Sequence, residues 1–155
     1  MKFFLNESKL KEAKIFIPGS KSESNRLLIL SSLYKNLSLE NLSNSDDTNY
    51  LLEALSQKNK TINVRHAGTA MRFLTSLIAL QTTREIELKG SDRMHNRPLK
   101  ILVESLKKIG ASIQYLEKDG FPPLLIKPSK LYGGKISIDS SVSSQYISSL
   151  LLIAP

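Results

Sequence analysis

Cysteine and tryptophan are both absent from the 155 residues. Without cysteine there can be no disulfide scaffold, no thiolate nucleophile and no zinc ribbon. The absence also fits a reducing compartment, and a cytoplasmic location is expected. Aromatics are scarce, with five Phe and five Tyr, and no cluster of them interleaves with basic residues in the way that base-stacking modules require. Long apolar runs are missing as well. The longest, Leu27-Leu28-Ile29-Leu30 and Leu150 to Ala154, fall far short of the roughly 20 residues that cross a bilayer, so no membrane partner is expected. The opening Met1-Lys2-Phe3-Phe4-Leu5 is interrupted at once by Asn6, Glu7 and Ser8, and no secretory signal is read.

Several site signatures are lacking too. His66 and His95 are the only histidines and show no metal-ligand spacing, so no metal is expected. No G-x-G-x-x-G occurs. Lys21-Ser22 follows Ser20, with no glycine six residues before the lysine, so a Walker loop is excluded and neither ATP nor NAD is supported as a cofactor. Without G-x-S-x-G, a hydrolase triad has little support.

What is present is a core and an excess of positive charge. Hydrophobic residues make up 41%, and Lys+Arg outnumber Asp+Glu by 22 to 14, a net charge of +8. The length suits one domain, or one domain and part of another. A basic chain seeks anionic partners. Here the cations are scattered singly rather than in runs, which favours small anions over nucleic acid.

Short β-like runs alternate with amphipathic helical stretches. Strands are expected at Lys14–Ile17, Leu37–Leu42, Thr61–Arg65, Glu85–Leu88, Ser112–Leu116, Pro123–Lys127 and Lys135–Ile138. Helices are expected at Ser22–Tyr34, with Ser20 and Glu23 as a capping box, and from Ser45-Asp46-Asp47-Thr48, whose acidic residues suit a first turn. Others are expected at Gly68–Leu80, from Pro98 to a left-handed stop at Gly110, and at Ser143–Ile153. The fold class is α/β, built of β-α-β-α-β-β units. The apolar last helix reads as the end of a fragment.

Three helix starts carry small residues beside a cation or amide: Ser20-Lys21-Ser22, Gly68-Thr69-Ala70-Met71-Arg72 and Ser143-Ser144-Gln145. Free N–H groups and the dipole make such turns suited to anions. Arg26 lies one turn beyond Ser22, and Arg97 stands just before Pro98. Each has a plainer reading. The serines could simply cap helices, Gly68 could be a turn residue, and Arg93 or Arg97 could pair on the surface with Asp92 or Glu104. Several such turns on consecutive elements suggest one pocket for more than one anionic group.

Pro18-Gly19-Ser20-Lys21-Ser22-Glu23-Ser24-Asn25-Arg26 resembles the first substrate-binding segment of the 5-enolpyruvylshikimate-3-phosphate synthases (3-phosphoshikimate 1-carboxyvinyltransferases). Ala67 to Arg72 resembles the second segment, Arg93 with Arg97-Pro98 the third, and Ser141-Val142-Ser143-Ser144-Gln145-Tyr146 the fourth, in the family's order. The resemblance runs from about Ile15 onward and covers only the N-terminal part of a family more than twice as long. It implies two domains of repeated β-α-β-α-β-β units with substrates between them. Residues 1–19 would belong to the first domain, and 20–155 would be about two units of the second. It further implies transfer of the enolpyruvyl group of phosphoenolpyruvate to the 5-hydroxyl of 3-phosphoshikimate, with no cofactor, by a monomer. Lys21, Ser22, Arg26, Ser143, Ser144 and Gln145 would hold 3-phosphoshikimate. Lys21, Gly68, Thr69, Arg97 and Gln145 would serve phosphoenolpyruvate, and Lys21 would be the catalytic residue. The acid and base carboxylates would lie in the C-terminal part, leaving the isolated chain inactive.

Two departures stand out. Arg65-His66-Ala67-Gly68-Thr69 replaces the usual Gly-Asn-Ala-Gly-Thr, and Phe73 stands where proline is common. Sister enzymes acting on a UDP-aminosugar share the fold but typically use a loop cysteine, and an RNA-terminal cyclase has a related fold. A noncatalytic phosphate-ligand module and a basic nucleic-acid-binding domain are the competing readings.

Overall fold

The structure, a computed structural model, describes residues 3–4, 12–138 and 143–154. Its elements in order are α1 (Lys21–Leu33), α2 (Asp46–Ser56), β1 (Thr61–Asn63), α3 (Gly68–Gln81), β2 (Ile86–Lys89), α4 (Asp92–His95), α5 (Lys100–Lys108), β3 (Ser112–Tyr115), β4 (Leu124–Lys127) and α6 (Ser144–Leu152).

The strands are short and alternate. Ile86 and Leu88 on β2, like Leu124 and Ile126 on β4, are buried, while Glu87, Lys89, Leu125 and Lys127 lie half-open. A period of two therefore gives the sheet one covered face. The sheet order is β1-β2-β4-β3. β1 and β2 are parallel, with Ile62 opposite Leu88, and α3 makes the crossover between them. β4 runs antiparallel to both β2 and β3. From β1 to β4 the chain thus forms one complete β-α-β-α-β-β unit, and the α/β fold class is as the sequence indicates.

The helix α3 is the centre of the molecule. Phe73, Leu74, Leu77 and Ile78 are buried, and so are the polar Thr75 and Ser76. A helix apolar on every side must be covered on every side. The sheet and α5 cover one flank, and α1, α2 and α6 cover the other. The buried hydroxyls find partners: Thr75 Oγ1 donates to Met71 O at 2.7 Å, and Ser76 Oγ meets Ser149 Oγ of α6 at 2.6 Å. The helix α5 ends where Gly110 takes φ +102, the left-handed position that favours glycine.

Three expected strands are not formed. Lys14–Ile17 has no regular structure and pairs with no strand among the described residues, and its Ile15, Phe16 and Ile17 are 80%, 83% and 74% exposed. Apolar alternation alone makes no strand without a free edge beside it. Leu37–Leu42 is irregular, because Asn41 turns the chain at φ 48. Leu39 and Leu42 nevertheless pack on the core. Lys135–Ile138 is also irregular, and Tyr132 N–H, just before it, bonds Ile109 O rather than a ladder partner. The capping box is likewise unmade. Ser20 sits at the N-cap of α1, but its hydroxyl accepts no backbone N–H. One helix was not foreseen: buried Met94 anchors the single turn of α4.

Candidate functional site

The site grows from the carboxyl ends of the two parallel strands, where α/β sheets place their ligands. After β1 the chain passes Val64 to Ala67 and enters α3 at Gly68. After β2 it passes Gly90 and α4 to reach Arg97. The two connections are tied together: Val64 N–H donates to Lys89 O at 2.9 Å, and Ser91 N–H to Arg65 O at 2.8 Å. Gly90 permits this closeness, since a Cβ there would lie 2.6 Å from Arg65 O.

Gly68 is buried at the start of α3, beneath two guanidinium groups. A Cβ on it would lie 2.4 Å from Arg97 Nη1 and 3.0 Å from Arg72 Nη1. Arg72 Nη1 donates to Gly68 O at 2.8 Å, and its guanidinium lies 5.4 Å from the Tyr146 ring centroid. No carboxylate lies within ion-pair distance of Arg72, Arg93 or Arg97 among the described residues. The surface pairing open to Arg93 and Arg97 is not made, and Glu104 pairs with Lys107 instead. Two cations without counter-charge, beside the free N–H groups of a helix start, form a site for an anion.

The helix α6 brings the serine segment to the same place. Gln145 Nε2 donates to Thr69 Oγ1 at 3.3 Å. Tyr146 Oη donates to Pro98 O at 2.6 Å, next to Arg97. Ser149 Oγ donates to Arg72 O at 2.8 Å. Ser143 is the N-cap of α6, its hydroxyl accepting from Gln145 N–H at 3.3 Å. Ser144 opens the helix and is exposed to solvent. The preceding Ser141 and Val142 lie outside the described residues.

The helix α1 supplies the remaining candidates. Lys21 is exposed, and its Nζ lies 3.4 Å from Asp47 Oδ2 in the first turn of α2. The neighbouring Asp46 faces His66 at 3.8 Å. The acidic first turn of α2 therefore borders the site on two sides. Arg26 bonds both the carbonyl, at 2.7 Å, and the hydroxyl of Ser22, and reaches across to Ser148 Oγ at 3.1 Å. The sequence reading missed Asp47, whose acidity suggested only a dipole partner, and also Tyr146 and Ser148. No local spacing could show that α2 and α6 flank α1 and α3.

Other concavities do not compete. An apolar groove of about 640 Å³, lined by Leu80, Ile109, Tyr132, Ile147 and Leu150, lies at the opposite end of α3. That is 12 residues from Gly68, about 18 Å along the helix. No group of His, Asp and Glu able to hold a metal occurs among the described residues, and no described helix is long and apolar enough to cross a membrane.

Fold and site together define a class: an α/β domain of the β-α-β-α-β-β kind in which helix N-termini and arginines unpaired among the described residues meet at one place suited to small anions. The family model described as EPSP synthase (3-phosphoshikimate 1-carboxyvinyltransferase) matches residues 56–155, and the chain belongs to that family. It is 44% identical over 156 residues to a 3-phosphoshikimate 1-carboxyvinyltransferase of Bacteroides fragilis, covering 100% of this chain and 38% of the relative. It is 40% identical over 173 residues to the enzyme of that name from Histophilus somni, covering 93% of this chain and 40% of the relative. An EPSP synthase structure from Acinetobacter baumannii superposes with a TM-score of 0.73 at 22% identity, over 90% of this chain and 37% of the other. The chain thus spans about two fifths of the length of these curated relatives.

Proposed function

We propose that this chain forms part of an enzyme that transfers the enolpyruvyl group of phosphoenolpyruvate to the 5-hydroxyl of 3-phosphoshikimate, releasing phosphate. The observation that carries the reading is the convergence on Gly68 of Arg97, Arg72 and, through Thr69, Gln145. Phosphoenolpyruvate and 3-phosphoshikimate are both multiply charged anions, and seating them side by side needs cations and N–H donors to offset their repulsion. Proximity in one cleft then supplies much of the rate. In the reaction the 5-hydroxyl gives up its proton to a base as its oxygen bonds to the enol carbon, and a proton enters at the methylene carbon. Phosphate then leaves with loss of a proton from that carbon.

In this reading Lys21, Ser22, Arg26, Ser143, Ser144 and Gln145 hold 3-phosphoshikimate. Gly68, Thr69 and Arg97, with Lys21 and Gln145, receive phosphoenolpyruvate. Lys21 leaves Asp47 to reach both substrates. Residues 1–19 belong to one domain and 20–155 to part of a second. The complete protein works as a cytoplasmic monomer without a cofactor, and the 155-residue chain alone does not turn over, because the facing half of the cleft lies outside it.

The test is calorimetric titration of the chain with 3-phosphoshikimate at low and moderate salt. Saturable binding is expected, weakened at least tenfold by Lys21→Ala or Ser144→Ala. Tighter and steeply salt-dependent binding of an oligonucleotide would overturn the reading in favour of a nucleic-acid domain. Product formed by the purified chain would overturn its inactivity.

A further inference from the structure

Arg26 is the most elaborately held cation of the site, and its holders lie on three helices. Its own helix α1 supplies the Ser22 carbonyl and hydroxyl to Nη1. The helix α6 supplies Ser148 Oγ to Nη2 at 3.1 Å. The helix α3 supplies the ring of Phe73, whose centroid lies 5.7 Å from the guanidinium carbon. Phe73 is 1% exposed. Its ring is therefore locked by packing, and a fixed π-face beside a half-buried guanidinium attracts it more strongly than a wet one would.

We propose that Phe73 and Ser148 are positioning residues that pre-set the Arg26 guanidinium for an anionic substrate. A free arginine side chain loses several rotors on binding. One already fixed by a hydroxyl and a ring has lost them in folding, so affinity for the anion rises. Phe73 need not touch the substrate. It acts through Arg26, and the effect belongs to the ligand that Arg26 holds. That this ligand is 3-phosphoshikimate rests on the function proposed above, whereas the holding of Arg26 does not.

Two measurements on the same chain separate these claims. In the ligand-free, 15N-arginine-labelled chain, with the Arg26 Nε–Hε signal assigned through Arg26→Lys, that signal should be shifted from the free-arginine position. It should return towards that position in Phe73→Leu and in Ser148→Ala, and stay in Phe73→Tyr, which keeps the ring. A wild-type signal at the free position, or one that neither Phe73→Leu nor Ser148→Ala moves, overturns the proposal. Ser148→Ala serves alone if Phe73→Leu fails to fold by circular dichroism.

Titration with 3-phosphoshikimate should then show affinity falling about 3- to 10-fold in Phe73→Leu and near wild type in Phe73→Tyr. Binding of phosphoenolpyruvate should be unchanged in both. Equal losses for both ligands would mark Phe73 as merely structural and overturn the proposal. A held Arg26 signal in a chain that binds no 3-phosphoshikimate would uphold the positioning and overturn the substrate assignment.

Discussion

At the scale of single residues, Gly68 matters because of what stands over it. An alanine there is allowed by the backbone, and the atoms nearest its methyl would be the guanidinium ends of Arg97 and Arg72, side-chain groups that can shift. Gly68→Ala should therefore change stability by less than about 1 kcal/mol. By displacing Arg97 it should weaken phosphoenolpyruvate binding about tenfold, a loss of about 1.4 kcal/mol. Unchanged affinity in a titration would disprove this account. Tyr115 behaves differently. Burial, with Glu104 and Asp119 adding to it, pushes its hydroxyl well above the ordinary value of 10.0, and that hydroxyl has no partner among the described residues. A raised folded value favours the neutral form, so its stabilising contribution is full below pH 10 and fades as pH rises above it. Tyr115→Phe should match wild type or slightly exceed it at pH 7, and should lose less stability than wild type between pH 9 and 11, read from denaturant midpoints. The sequence displayed both residues but not their surroundings. Gly68 was legible as a helix start beside small residues, with Arg72 one turn on in the same helix, yet Arg97 comes from 29 residues further along the chain, a distance that no spacing rule connects.

At the scale of elements, α6 is fastened by hydroxyls rather than by charge. Tyr146 reaches Pro98 O, and Ser149 reaches both Ser76 and Arg72 O. Tyr146→Phe keeps the packed ring and strands the carbonyl. It should cost about 1–2 kcal/mol and raise hydrogen exchange across α6 while leaving the sheet amides unchanged; uniform loss of protection would refute a local clamp. All the helices but the single turn α4 were legible, because their apolar residues recur at helical spacing over nine or more positions. Strands of three or four residues carry less signal, and three expected ones went unformed. Lys14–Ile17 has strand composition and no neighbour to pair with. At Leu37–Leu42, Asn41 takes a left-handed turn that its neighbours do not announce. Within the β1-to-β4 unit each strand was found to within a residue or two, because a turn signal bounds it on both sides.

At the scale of the whole molecule, one complete unit is flanked by helices α1, α2 and α6, and large apolar side chains stand in water at Ile15, Phe16 and Ile17. Such patches promote association. The isolated chain should self-associate as its concentration rises, and Phe16→Ser with Ile17→Ser should shift sedimentation towards monomer; identical profiles would exclude this segment as the cause. Family membership was legible from four short segments in order, whereas their meeting point was not, because it depends on tertiary packing. The contact between Arg26 and Ser148 joins residues 122 positions apart. Contacts of that span form late, once nearer ones have shortened the loop they must close. During synthesis α1 and α3 therefore leave the ribosome well before α6 exists, and Arg26 must wait for its hydroxyl until nearly all of these 155 residues have been made.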